Sequence, residues 1–250
     1  MARTVAQVTP ERLAELEAGA PSTHLTEILA ITQSRLAASI TDNQILLAAI
    51  AQVDSLGIAA RMRSIGRILH EHLSADELET LAKHPSDTIR GWTCFAIVHD
   101  ERAAKIDWLL AALRPFANDE HFGVREWSWL AARPRLVASL DEAIAALFAW
   151  TSDESANIRR FVSESLRPRG VWAQHIAELK SDPQRGLPLI EPLRADPSAY
   201  VQDSVANWLN DASKTQPEWV EETCARWLDE SPCDNTQRIV SRALRSLKRS

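Results

Sequence analysis

Ser86-Asp87-Thr88-Ile89-Arg90, His121-Phe122-Gly123-Val124-Arg125, Ala156-Asn157-Ile158-Arg159 and Ala199-Tyr200-Val201-Gln202 are versions of one short string, and Asn235-Thr236-Gln237-Arg238 is a weaker fifth. Aligned on Arg90, Arg125, Arg159, Gln202 and Arg238, they recur at steps of 35, 34, 43 and 36 residues. In most copies a polar loop leads into a helix that opens with an apolar residue and then Arg or Gln. The stretches ahead of them, such as 106–114 and 141–150, are more uniformly apolar and predict an outer layer of helices. A helix pair recurring every 35–45 residues or so is the sequence mark of an α-solenoid.

The wider sequence supports that class. Seven glycines, twelve prolines and a single tyrosine in 250 residues, with Ala, Leu, Glu and Arg abundant, favour helix and leave little material for an extended sheet. Thr9-Pro10 reads as an N-cap followed by proline at the first helical position. Ser74-Ala75-Asp76-Glu77 reads as a capping box opening a helix through Leu81. Prolines 85, 115, 134, 168, 183, 197, 217 and 232 are expected to stop helices. Residues 1–80 do not fit the repeat; their helical windows are 26–40, 43–53 and 58–73. The expected architecture is all-α, a HEAT-like solenoid of stacked antiparallel helix pairs with a concave face. It is read as one domain over 1–250, with 1–80 as an N-terminal helical cap and 81–250 as repeats.

Composition also removes several function classes. The longest apolar run, 143–150, is eight residues, too short to span a bilayer. The first residues lead into charged helical sequence rather than a secretory segment. Cys94, Cys224 and Cys233 are scattered without CxxC spacing, so neither a disulfide framework nor a zinc site is expected, and a reducing cytoplasm fits. The sequence has no GxGxxG, P-loop, HExxH or GxSxG motif. His70-Glu71-His72 has the wrong spacing for one helix face and reads as solvated surface. No cofactor and no metal are expected.

The net charge of −6 argues against a protein that coats nucleic acid nonspecifically. A local basic stripe remains compatible with it, because exposed charges are screened beyond a Debye length of about 8 Å. Within 157–170 there are four arginines (Arg159, Arg160, Arg167, Arg169) against one acid, Glu164. Nine tryptophans are an unusual number, and most are expected in the core. Counted from the repeat position, Glu126 is one residue on, Glu164 five and Asp211 nine. Steps of four hold one helix face and climb about 6 Å each. Inner helices about 8–10 Å apart would then set the three acids in a diagonal row beside the arginines.

Four strings carry a family resemblance. They are His121-Phe122-Gly123-Val124-Arg125-Glu126-Trp127, Asn157-Ile158-Arg159-Arg160-Phe161-Val162-Ser163-Glu164, Arg167-Pro168-Arg169-Gly170-Val171-Trp172, and 200–211 continuing to Ser213-Lys214. They resemble the AlkC branch of the AlkC/AlkD DNA alkylation repair glycosylases over roughly 85–250. Some members end in an immunoglobulin-like domain, which this sequence is expected to lack. The resemblance implies excision of cationic N-alkylated bases, chiefly of the 3-methyladenine type, from double-stranded DNA without base flipping. It implies Glu126, Glu164, Trp172 and Asp211 as active-site positions, and Arg159, Arg160, Arg167, Arg169, Asn207, Asn210 and Lys214 as DNA-facing ones. A monomer that starts base excision repair is the corresponding expectation.

The chemistry is coherent. An N3- or N7-alkylated purine is already cationic and leaves easily, while the sugar becomes oxocarbenium-like. Carboxylates stabilise that cation, as in glycoside hydrolysis. An indole face adds a cation–π attraction of about 0.5–2 kcal/mol, and Asp211 is placed to orient or deprotonate the attacking water. Arginines would hold phosphates and set register. Two rival readings differ in class: a solenoid scaffold for another protein, which an acidic isoelectric point suits, and an inert binder of damaged DNA.

Overall fold

The computed structural model describes residues 4–249, which form helices, turns and loops with no strand among them. The chain divides into two compact units, Met1–Ala132 and Arg133–Ser250. Among the described residues, no helix is long and apolar enough to cross a membrane. Nor does any group of three or more His, Cys, Asp or Glu stand ready to hold a metal ion.

In the first unit, Thr9 caps helix Pro10–Glu17 by accepting the Arg12 N–H, and the Ser74/Glu77 capping box opens Ala75–Leu81 as its spacing predicts. The window expected at 26–40 is instead two short helices, Leu25–Ala30 and Gln33–Ala37, separated by extended backbone at Ile31 and Thr32. The second is capped from a distance: the Asp54 carboxylate accepts the N–H groups of Gln33 and Ser34. A cap twenty residues away leaves no local sequence mark. Within the unit α1 (Ile58–His72) packs against α2 (Asp87–Ile97). The two backbones meet at Gly66, where a Cβ would fall 2.3 Å from that of Phe95. Only glycine permits that approach.

Two of the expected stops fail. Pro115 lies inside helix Ile106–Ala117 and Pro134 inside α3 (Phe122–Ala138). A proline removes one intrahelical hydrogen bond. Buried neighbours on both sides, Leu113 and Phe116 at the first site and Arg133 and Leu136 at the second, hold each helix through it.

In the second unit α4 (Ala156–Ser165), α5 (Ala199–Ala212) and α6 (Asp234–Ala243) pack in sequence, α4 on α5 and α5 on α6. These are the helices that open with the repeat strings. Helix Leu187–Ile190 lies against α4, and Pro217–Glu230 against α5 and α6. Five of the nine indoles are buried (Trp92, Trp127, Trp129, Trp208, Trp227), and Trp172 is the exposed one. Trp208 donates to the Leu166 carbonyl at 3.0 Å, satisfying one of the open acceptors where α4 ends.

The repeated arginine has a repeated task. In the first unit Arg90 Nη1 donates to the carbonyls of His84 and Pro85, and its Nε and Nη2 pair with Asp119 at 2.9 and 3.0 Å. Arg125 Nη1 likewise reaches the carbonyls of Asp119 and Glu120. In the second unit Arg159 Nη1 takes those of Asp153 and Glu154, and its Nε and Nη2 pair with Asp196 at 2.6 and 3.0 Å. Gln202 keeps the carbonyl contact, to Asp196. Each side chain thus closes the loop entering its own helix. Arg90 and Arg159 also grip an aspartate six residues ahead of the next repeat position, a fork-to-fork pairing that arginine geometry favours.

Candidate active site and nucleic-acid interface

Glu164 and Asp211 sit on neighbouring helices near the C-terminal ends of α4 and α5, and one guanidinium joins them. Arg167, just past α4, gives Nη1 to Glu164 Oε1 at 2.6 Å, and Nη2 to Asp211 Oδ2 at 2.8 Å. Its Nε reaches the same Asp211 oxygen at 3.0 Å. Glu164 Oε2 accepts from Ser204 Oγ at 2.6 Å and faces Arg160 Nη2 at 3.5 Å. Asp211 Oδ1 is met by Lys214 Nζ at 3.2 Å. Both acids are 4 % exposed. Burial pushes the Glu164 carboxyl up, but Arg160, Arg167 and the Ser204 hydroxyl more than offset this, so it stays below the usual carboxylate range.

The acids differ in availability. Every oxygen of Glu164 is committed to a buried or half-buried donor. Asp211 Oδ1 is held by Lys214, whose side chain is 46 % exposed.

Beyond Arg167 the chain turns through Pro168-Arg169-Gly170-Val171-Trp172, closed by the Ile176 N–H donating to the Pro168 carbonyl at 3.1 Å. Trp172 has φ of 58° and is 42 % exposed. A left-handed backbone is costly for a bulky L residue, and such positions concentrate at functional sites. Arg169, in the same turn, makes no ion pair among the described residues, and its Nε is buried without a partner. Arg160 stacks on the Tyr200 ring, 4.3 Å from its centroid.

Three of the expected DNA-facing side chains are spoken for inside the fold. Arg159 spends its guanidinium on Asp196 and two carbonyls, as described, and is a staple rather than a phosphate contact. Asn210 is 3 % exposed, and its Nδ2 donates to the Ala243 carbonyl and Ser246 Oγ, fastening α5 to the C-terminal segment. Arg167 is 12 % exposed and bridges the two acids instead of projecting outward. Asn207 is half-buried and accepts from Arg245 Nη2. Glu126 belongs to the first unit, where its Oε2 accepts the Trp129 indole N–H at 2.8 Å.

Sequence reasoning took Arg238 only as a repeat position and passed over Arg242 and Arg245. Arg238 and Arg242 converge on Asp203 at 2.7 and 3.0 Å, and Arg245 follows at Asn207. Their spacing of four and three was the available signal. It also missed Arg133, a buried arginine beside a proline. A Ser/His/Asp grouping in the first unit is not a nucleophilic triad. Ser22 Oγ donates to Asp87 Oδ2, and His121 Nδ1 accepts the Gly123 N–H. The His121 proton then sits on Nε2, facing the Ser22 carbonyl at 2.8 Å, with no lone pair left to take a serine proton.

Residues 129–243 match the family described as DNA alkylation repair enzyme. The matched segment is a little under half of the chain. It holds Glu164, Arg167, Trp172 and Asp211 and three of the four strings read as resembling that family, whereas the string at 121–127, with Glu126, lies ahead of it. An uncharacterized protein of Bacillus subtilis (strain 168), YhaZ, is 41 % identical over 128 residues. The match covers 51 % of this chain and 35 % of that one, so the aligned part is about a third of the relative's length. The fold resembles Pseudomonas fluorescens alkylpurine DNA glycosylase AlkC bound to DNA containing an abasic site analog. There the TM-score is 0.69 at 24 % identity, over 99 % of this chain and 66 % of that one. It also resembles smu.31 from Streptococcus mutans UA159, with a TM-score of 0.61 at 18 % identity over 79 % and 97 % of the two chains. Those likenesses establish the helical-repeat fold.

Proposed function

We propose that the chain is a DNA glycosylase that removes cationic N-alkylated bases, of the 3-methyladenine type, from double-stranded DNA. The observation that carries this reading is the pair of buried carboxylates, Glu164 and Asp211, on one arginine, in the segment that matches the alkylation repair family. Water adds to C1′ of the sugar as the N-glycosidic bond breaks. The bond's electron pair returns to the base nitrogen and cancels its positive charge, and the water's proton passes to Asp211. The two carboxylates offset the charge on the sugar while the bond is breaking. Trp172 offers an indole face to that cation, and Arg160, Arg169 and Lys214 supply the positive edge that holds the backbone. Lesions of this kind leave without protonation, so no base-binding pocket is needed and the base need not be flipped.

One observation favours a second reading, an inert binder of damaged DNA: the charges of Glu164 and Asp211 are already met by Arg167 and Lys214. The experiment that separates them is release of free methylated base from alkylated duplex DNA, followed by chromatography. Time-dependent release that is lost in Asp211→Asn supports the enzyme. Retained binding to the alkylated duplex with no release supports the inert binder.

A further inference from the structure

Arg133 is 3 % exposed, yet no carboxylate pairs with it among the described residues. Its guanidinium is satisfied by three main-chain carbonyls. Nη1 donates to Ser165 at 2.7 Å, Nη2 to Arg167 at 2.6 Å and to Gln174 at 3.1 Å, with Nε to Gln174 at 3.3 Å. Ser165 ends α4, so its carbonyl is one of the open acceptors a helix terminus leaves. Arg167 and Gln174 stand at the two limbs of the turn that carries Arg169 and Trp172.

The turn is wrapped around this planar group. A Cβ on Gly170 would lie 3.2 Å from Arg133 Cζ and 3.2 Å from the Ala173 Cβ, so the absence of a side chain there lets the loop close over the guanidinium. Burial and the nearby Arg167 charge pull Arg133 down to about 10, against the raising effect of Glu164 and Asp211. It remains a cation at neutral pH.

We propose that Arg133 is a positioning residue whose fork fixes the 167–174 loop and so sets where Arg167 and Trp172 stand. It touches neither acid; it acts through the backbone that presents them. Lysine cannot substitute, because a single ammonium lacks the rigid fork that spans three carbonyls in one plane. The rate readout below rests on the glycosylase reading, and the exchange readout does not.

The test uses Arg133→Lys and Gly170→Ala in the full chain. Amide exchange should rise at residues 167–176, the Ile176 N–H included, while exchange in α5 and α6 stays as in the wild type. Single-turnover release of methylated base should fall on the order of 10²-fold, the usual result of displacing a reacting geometry by about an ångström. Arg133→Lys added to Trp172→Ala should cost less than the product of the two single losses, since residues acting as one unit are non-additive. Gly170→Ala keeps Arg133 and should shift exchange and rate in the same direction, which covers the case in which Arg133→Lys fails to fold. Wild-type loop exchange in the folded variants overturns the proposal, as does a fully multiplicative loss in the double variant. If the wild-type protein releases no base, the glycosylase reading fails while loop exchange still decides the clamp.

Discussion

Arg167 Nη2 lies 2.8 Å from Asp211 Oδ2, with Nε on the same oxygen at 3.0 Å, while Nη1 of the same guanidinium reaches Glu164 Oε1 at 2.6 Å. This couples two acids from separate helices through one cation. Arg167→Ala would leave two buried carboxylates with less compensation. It would therefore damage folding and catalysis together and tell them apart poorly.

Asp211→Asn is the cleaner variant. It preserves shape and the Lys214 contact but removes the charge and the proton acceptor that the glycosylase reading assigns to Asp211. Excision under single-turnover conditions should fall on the order of 10²–10³, as for other single electrostatic groups, with affinity for an abasic duplex nearly unchanged. Excision within a few-fold of wild type would move the role to Glu164 or to Glu126, each testable as its Gln variant.

Glu164 gives a pH signature. Its folded carboxyl lies below the unfolded value, so it contributes stability above the unfolded carboxylate range, and that contribution is lost as pH falls through the folded value. Urea titrations at neutral pH and downward through the acid range should show the wild type losing more stability than Glu164→Gln. Parallel acid limbs would contradict the assignment.

Arg169 and Arg159 should separate phosphate contact from folding. Removing Arg169, whose Nε has no internal partner, should weaken DNA binding across sequences and lower the salt slope by about one ion. Arg159→Ala should leave the slope of the folded fraction unchanged. A slope unaltered in Arg169→Ala removes that contact.

Asp196→Ala tests the staple directly. Its side chain is 3 % exposed and pairs with Arg159 at 2.6 Å, and breaking a buried pair from one side costs about 3–5 kcal/mol. Denaturant unfolding should show a loss of that size. A change under about 1 kcal/mol would mean the pair is replaced by water.

The repeat was legible because it is a property of spacing, and spacing survives without coordinates. The meaning of its arginine was not, because Arg159 and Arg160 are adjacent and only geometry shows the first turning inward to Asp196 and the second lying over Tyr200. The neighbouring aspartates were in view: Asp119, Asp153 and Asp196 each precede a repeat position by six. Reading them with the arginines would have marked the pair as structural. Glu164 and Asp211 were found by their four-residue offsets, although their burial was not, since an acid on a helix face looks the same in sequence whether it meets solvent or an arginine. The break at Ile31 and the clamp at Arg133 depend on partners 20 to 41 residues away, beyond the reach of any local pattern.

The six-residue interval from Asp196 to Gln202 matches those from Asp119 to Arg125 and from Asp153 to Arg159, although the step between repeats stretches to 43 where the others are 34 to 36. The surplus lies upstream of the aspartate, and the loop bearing Trp172 falls in that stretch. Length is therefore a free variable outside the interval and a fixed one inside it. Segments grafted between Leu166 and Ala195 should leave the stacking of α4 on α5 in register, whereas a single residue inserted between Asp196 and Gln202 would move the carbonyl and the carboxylate out of reach together. The molecule thus places the Trp172 loop in the part of the repeat whose length varies.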